Sequence, residues 1–356
     1  MKNTRRNSTF TALGALAMCL AGLALAGCAP ASGAESEKVT EVRLGYFANV
    51  THAPALVGLS KGLFQDALGE VDLKTEIFNA GPSAIEALSA GAIDATYIGP
   101  NPAINTFIQS GGASARIIAG ATSGGAALVV RDGIDSPEDL KGANIATPQL
   151  GNTQDVALRS WLDDEGFKTS VSGGGDVNVT PTENAQTLTL FQDGDLDGAW
   201  LPEPWVSRLV VEAGAKVLVD EAGLWKDGAF PTTVLLVRAE FADQHPEIVE
   251  ELLEGHIASV HWLDENAGKA PAVINEALDE ATGKTLDDEV LARALENVTF
   301  TVDPAAETFE TLVDHGLAAG TQKDGSIDGL FDLRALNALL EKADAEPVSA
   351  AGLGED

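Results

Sequence analysis

One stretch of this chain is written twice, and a repeated supersecondary unit restricts the possible folds more than composition does. Residues 90–98 (AGAIDATYI) and 193–201 (DGDLDGAWL) align without gaps. Gly91 matches Gly194, Ile93 matches Leu196, Asp94 matches Asp197 and Tyr97 matches Trp200, each pair 103 positions apart. The same offset pairs Asn49 with Asn152 and Gly111 with Gly214, at equivalent points in the order of strands and helices. Around the first copy, apolar runs at 42–46, 71–78, 92–98 and 116–119 alternate with helix-like segments at 53–61, 82–90 and 102–109. Such alternation predicts an α/β fold with mostly parallel sheets and helices on both faces. Two similar α/β lobes follow from the repeat.

The segments that end each lobe also correspond. Residues 126–131 (AALVVR) and 233–238 (TVLLVR) are extended, apolar and end in arginine. They are expected to act as two crossover strands, carrying the chain from the first lobe to the second and back. Helix-like sequence at 245–266, 270–281, 287–297, 305–318 and 330–342 then returns to cover the first lobe. The expected division is therefore 39–131 with 238–342 as a discontinuous lobe 1, and 132–237 as lobe 2. Residues 343–356 read as a disordered tail.

The N-terminus is a separate matter. Lys2, Arg5 and Arg6 precede an apolar run from Phe10 to Ala26 that closes on Leu25-Ala26-Gly27-Cys28. A basic start, a short apolar stretch and small residues at its end describe a secretory signal, too short for a stable membrane span. The ending LAGC resembles the bacterial lipobox, which makes residues 1–27 a lipoprotein signal peptide and Cys28 the lipidation site. Residues 28–38 are small and polar, a tether. With Cys19 removed, one cysteine remains and no disulfide framework is possible. Loss of three basic and no acidic residues moves the formal charge from -32 to -35. Such acidity disfavours nucleic acid and anionic lipid surfaces as partners, while leaving the local field of a site open.

Enzyme and metal signatures do not hold up in context. Gly58-Leu59-Ser60-Lys61-Gly62 matches the nucleophile-elbow spacing but sits at a helix end, not on the strand-to-helix turn that exposes the serine. The run 193–198 imitates the start of an EF-hand, yet the twelfth position is Pro204 instead of glutamate. Gly283-Lys284-Thr285 lacks the upstream glycine of a P-loop, because position 278 is leucine. His52, His245, His256, His261 and His315 contain no pair with metal-ligand spacing on one helix face. No metal or cofactor is expected.

What remains is the set of loops where strands end, the place where doubly wound sheets bind ligands. These are 46–52 (Tyr46 to His52), 81–83, 99–101, 122–125, 149–155 and 200–205. In the fifth, Gly151, Asn152 and Thr153 lead into helical sequence. Amides unpaired at a helix start carry the positive end of its dipole and readily bind an anion. Each loop alone is an ordinary helix cap; the convergence of six is the argument. Together they offer hydroxyls, amides and aromatics, and no lysine or arginine. Trp200 to Trp205, with Glu203 between two prolines, forms a rigid amphipathic wall in which at least one indole packs the core and Glu203 accepts either from a ligand or from a backbone donor across the cleft.

The segments 43–58 (RLGYFANVTHAPALVG), 80–103, 148–162, 197–205 (DGAWLPEPW) and 241–249 together resemble the solute-binding proteins of the nitrate/sulfonate/taurine group of ABC importers. The resemblance spans essentially the whole mature chain and implies a type II periplasmic-binding-protein fold, with lobes that close on ligand. It implies ligand contacts around Asn49, Thr51, His52, Gly81, Ser83, Asn101, Ser123, Asn152, Thr153, Trp200 and Glu203, with Tyr46 in the first loop. The partners it implies are ABC permease subunits with a separate ATPase, for a monomer held outside the cytoplasm on the cell membrane through Cys28. An aliphatic sulfonate such as taurine is the expected ligand, with nitrate, bicarbonate or a pyrimidine precursor behind it. An extracellular hydrolase using Ser60 and a purely structural envelope protein are the readings from other classes.

Overall fold

The computed structural model describes residues 40–356, so the signal, Cys28 and the tether through residue 38 lie outside the described residues. Strands β1 (Glu41–Tyr46), β2 (Asp72–Ile77), β3 (Ala95–Ile98) and β4 (Ala115–Gly124) begin the first sheet. Strands β5 (Ala126–Val130), β6 (Asn144–Thr147), β7 (Asn178–Pro181), β8 (Gly198–Pro202) and β9 (Lys216–Asp220) make the second. The chain returns to the first sheet with β10 (Pro231–Arg238), β11 (Val298–Phe300), β12 (Phe331–Asp332) and β13 (Gly354–Glu355). The five central strands run β2-β1-β3-β10-β4 in the first sheet and β7-β6-β8-β5-β9 in the second. This is the same order twice, with β10 and β5 each antiparallel to the strands beside them. Two α/β lobes joined by two crossings, the periplasmic-binding-protein fold implied by the resemblance, are what the chain forms.

The repeat has a physical cause. Asp94 and Asp197 stand just before β3 and β8, and each clips three strand ends together. The Asp94 carboxylate accepts the backbone N–H of Arg43 at 3.0 Å, and its own N–H donates to Arg43 O at 2.8 Å. The backbone N–H of Arg238 donates to Asp94 O at 2.9 Å, and both arginine side chains pair with its carboxylate. In the second lobe, Asp197 accepts the N–H of Asn144 at 2.8 Å and donates to Asn144 O. The N–H of Arg131 donates to Asp197 O at 3.0 Å, and the Arg131 side chain pairs with the carboxylate at 3.3 Å. The arginine ending each antiparallel strand is thus the partner of the repeated aspartate.

The crossings differ in placement from the sequence reading. Residues 126–131 do not close the first sheet; 126–130 are β5, the antiparallel strand of the second, and Arg131 follows it. β4 continues to Gly124 and β5 begins at Ala126, so the first crossing turns at the strand-ending Gly124 and the single linking residue Gly125. Both glycines have positive φ, and a Cβ on Gly124 would meet the Asn297 carbonyl oxygen at 2.7 Å. The second crossing runs from β9 through residues 221–230 into β10.

Parallel strands buried on both faces need helices over each side. The helices Pro246–Glu265, Ala270–Thr282 and Phe309–Ala318 pack Leu252, Ile274 and Phe309 into the core with Val42, Leu44 and Ile98. Residues 343–356, read as a disordered tail, are ordered instead. Ala350 and Leu353 are buried in that core, β13 pairs with β12, and Asn337 exchanges two hydrogen bonds with Val348. Three scattered apolar anchors suffice here, which a window dominated by small and acidic residues conceals.

The two aspartates should differ in weight. The Asp94 side chain is 3% exposed and Asp197 31%. Asp94→Ala is expected to cost about 2–3 kcal/mol, because its arginines keep part of their hydration and the loss stays below that of a fully buried pair. Asp197→Ala should cost about 1 kcal/mol. Urea unfolding at neutral pH measures both; equal losses would contradict the strand-end role given to burial here.

Candidate functional site

The carboxyl ends of β1, β2 and β3 face those of β6, β7 and β8 across the gap between the lobes, and a small cavity of about 20 Å3 lies where they meet. Its walls come from both lobes: Phe47, Asn49, Thr51, His52, Asn79 and Gly99 from the first, Pro148, Asn152, Gln154, Asn184 and Pro202 from the second, with Thr232 on β10. No charged side chain is among them. Four helices begin at this wall. His52 and Gly99 precede Ala53–Ser60 and Pro100–Gln109, Asn152 caps Thr153–Asp164, and Asn184 opens Asn184–Asp193. Their dipoles make the cavity favourable to negative charge without a cation, although Pro54, Pro100 and Pro102 carry no N–H and the Gln154 N–H is already taken by Asn152.

Individual side chains show how the wall is set. His52 is 2% exposed and stacks on Phe47 at 4.3 Å. Its Nδ1 accepts the Phe47 N–H at 3.2 Å, so the ring proton belongs on Nε2, and burial pushes its pKa down to about 3. The ring is therefore a neutral donor. The Asn152 side chain accepts the Gln154 N–H at 3.1 Å, the capping bond its position calls for. Asn49 Oδ1 accepts from the indole of Trp205 at 2.9 Å, a bond across the lobes. Among the buried polar atoms of the described residues that have no protein partner are Thr153 Oγ1, pressed against Gly99 of the opposite lobe, Asn184 Oδ1, and Asn101 Oδ1 at the start of the helix Pro100–Gln109. Buried polar atoms are almost always satisfied, and leaving one unpaired costs about 1–3 kcal/mol.

Of the residues expected from the sequence, Asn49, Thr51, His52 and Asn152 line the cavity and Thr153 adjoins it. Gly81 begins a helix and packs on Pro102, while Ser83 lies at an outer opening and donates to Gln149 Oε1 at 3.4 Å. The others are placed elsewhere. Tyr46 is buried in the first core, and Asn101 donates to Leu312 O within the first lobe. Ser123 exchanges hydrogen bonds with the Phe230 backbone, because residues 122–124 continue β4 instead of forming a loop. Trp200 faces the second core and donates to Glu221 at 2.7 Å. Burial raises the Glu221 pKa to about 7.

Glu203 does not face the cavity either. It is 1% exposed, accepts from Ser207 N and Oγ in its own lobe, and accepts from Asn297 Nδ2 at 2.7 Å and Arg293 Nη1 at 3.3 Å. Arg293 and Asn297 lie just before β11 of the first sheet. Glu203 is a bridge between lobes. Its pKa is raised by burial, against which these bonds act.

Asn79, Asn184 and Thr232 were not anticipated. Asn79 follows β2 and Asn184 follows β7, equivalent ends 105 residues apart, so an offset held rigidly at 103 passes them by. A search of the repeat that allowed short insertions would have paired them.

Residues 35–276 match the model of the NMT1-like family. The chain is 31% identical over 183 residues to the taurine-binding periplasmic protein of Escherichia coli K12, a match spanning 51% of this chain and about half, 54%, of that protein. It is 26% identical over 282 residues to a putative aliphatic sulfonates-binding protein of Bacillus subtilis 168, covering 77% and 79%. Its fold is similar to that of the alkanesulfonate-binding protein SsuA from Xanthomonas axonopodis pv. citri bound to MOPS, with TM-score 0.66, 20% identity and coverage of 81% and 96%.

The buried neutral His52 has a stability consequence. With a folded pKa near 3 against about 6.5 unfolded, the unfolded chain takes up the proton first as pH falls. The contribution is complete above about pH 7 and is lost below 6.5, at a slope approaching about 1.4 kcal/mol per pH unit. The stability of wild type minus that of His52→Gln should therefore shrink between pH 6.5 and 5 in urea titrations. A difference independent of pH would contradict a buried, uncharged ring.

Proposed function

The chain belongs to the NMT1-like family, and from that premise we propose that it is the extracytoplasmic solute-binding component of an ABC importer that captures a small oxyanion, foremost an aliphatic sulfonate such as taurine. One observation supports this reading: the ends of both sheets share an uncharged cavity lined by amides and hydroxyls, with the unpartnered Asn184 Oδ1 on a wall residue and the unpartnered Thr153 Oγ1 adjoining it. A sulfonate supplies acceptors for helix-start amides, the His52 Nε2–H and the Thr153 hydroxyl. The ammonium of taurine supplies a donor for Asn184 Oδ1. The space of about 20 Å3 is little more than a water needs, so the lobes would part to admit a sulfonate; seated there it touches both lobes at once and favours the bridged arrangement. There Trp205 reaches Asn49, and Glu203 reaches Arg293 and Asn297. The named relatives bind taurine or sulfonates by their descriptions, which supports the class. Lipidation at Cys28 would hold the protein beside its permease and the separate ATPase. The lack of a cationic wall residue keeps a second reading, nitrate, bicarbonate or an uncharged pyrimidine precursor, in the test.

A thermal-shift panel of sulfonates, nitrate, bicarbonate and pyrimidines tests the class. Taurine should raise Tm progressively with its excess, since binding to the folded state adds RT ln(1 + [L]/Kd). Nitrate or a pyrimidine raising Tm while no sulfonate does would transfer the assignment to the second reading. The double variant Asn152→Ala, Thr153→Ala should fold and weaken taurine binding by about tenfold or more, the scale of one or two lost hydrogen bonds. Wild-type affinity in that variant would remove these residues from the site.

A further inference from the structure

The helix Thr153–Asp164 opens at the cavity, and in its first turns two ionisable side chains of opposite charge are shut off from water. Asp155 is 0% exposed and Arg159, one turn on, 1%. The Asp155 carboxylate holds the loop above it, accepting the Gly151 N–H at 2.9 Å and the Thr147 hydroxyl at 2.8 Å. Gly151 has a φ of 75°, and the loop it turns carries Pro148 and Asn152 to the cavity wall. Arg159 Nε donates to both Asp155 oxygens at 3.1 Å and Nη1 donates to Ser170 O, while Nη2 is buried without a partner. Apolar side chains of similar volume often serve stability as well as a buried ion pair, and would leave no guanidinium nitrogen unsatisfied. The charge on Arg159 therefore calls for a reason beyond packing.

The first lobe supplies it. The repeat's offset of 103 pairs Asp155 with His52 and Arg159 with Leu56. His52 does the same work in its own lobe, its Nδ1 accepting the Phe47 N–H at 3.2 Å, but its ring is neutral and Leu56 is apolar. The uncharged holder of a loop has no counter-ion one turn on; the charged holder has one. Asp155 alone would put a negative charge at a helix start where an anion is to bind, in a buried place that screens its repulsion little. Resting on the oxyanion reading above, we propose that Arg159 is a positioning residue for the site that never touches the ligand. It cancels the charge of the carboxylate that shapes the second-lobe loop, and so leaves the start of this helix open to an anion.

Ethanesulfonate carries the sulfonate without an ammonium, so titration calorimetry of the full mature chain with it reads this charge balance, with circular dichroism reporting that each variant is folded. Asp155→Asn keeps an oxygen for the Gly151 N–H and an amide for Thr147, loses the negative charge, and should bind about fivefold or more tightly than the parent chain. Arg159→Met leaves the carboxylate unbalanced and should bind about tenfold or more weakly. The double variant Asp155→Asn, Arg159→Met is neutral again and should return to within about twofold of the parent. Should Arg159→Met not fold, the step from Asp155→Asn to the double variant removes the same cation beside a neutral amide and should weaken binding by about twofold or more. Both single changes weakening binding alike, or a folded double variant as weak as Arg159→Met, would show a pair that serves structure alone and overturn the inference while the sulfonate reading stands. A parent chain that binds neither ethanesulfonate nor taurine would overturn both.

Discussion

Hydrogen-bonding groups that end strands and begin helices have to find partners, and in this protein two sets of them are buried against each other. Four helices start at one cavity, and the side chains between them are amides, hydroxyls and a neutral imidazole. Each lobe alone would leave its set to water. Brought together they are largely buried, and the protein satisfies most of the groups but leaves Asn101 Oδ1, Thr153 Oγ1 and Asn184 Oδ1 without a partner. The shortfall is small beside the whole fold and large enough to bias a closing equilibrium, since about 1–3 kcal/mol attaches to each unpaired group. A binding protein needs a closed state that its ligand completes.

The closing surfaces are held from behind as well. Glu203 joins Ser207 of its own lobe to Arg293 and Asn297 beside the first sheet, and Trp205 reaches over to Asn49. These contacts lie near the Gly125 end of the first crossing, where Glu203 N–H donates to Gly125 O at 2.8 Å. Rotation about the crossings would therefore break or form the Glu203 network together with the cavity. Glu203 acts through the position of the lobes, with no contact to the cavity.

Much of this was readable in the residues. The offset between Asp94 and Asp197 marked two lobes because an aspartate before the third strand is the cheapest way to tie three strand ends, and both copies keep it. The polar loops around Asn49 and Asn152 were legible for the same reason, being equivalent strand-to-helix turns. Other features were not. Ser123 looks like a loop serine, since two glycines follow it, but the glycines mark a crossing between sheets and the strand runs through. Trp200 and Glu203 sit beside the cavity in sequence, yet period-two alternation turns the indole into the second core, and burial draws the carboxylate toward Arg293. That choice depends on α-helical residues some ninety positions later, which no local pattern reports. The ordered C-terminus rests on Val348, Ala350 and Leu353 finding a core assembled by the rest of the chain.

The net charge of the chain makes the cavity's chemistry the more specific. A protein carrying a formal charge of -32 attracts no anion by its overall field. Capture then depends on short-range donors and helix starts in a place with little water, where such dipoles act with less screening. A crystal structure of the mature chain with taurine tests this most directly. The account predicts sulfonate oxygens within hydrogen-bonding distance of His52 Nε2 and of groups at the start of the helix Thr153–Asp164, with no lysine or arginine in contact. A sulfonate paired to Arg208 or Lys284, or lodged outside the space between the lobes, would contradict it.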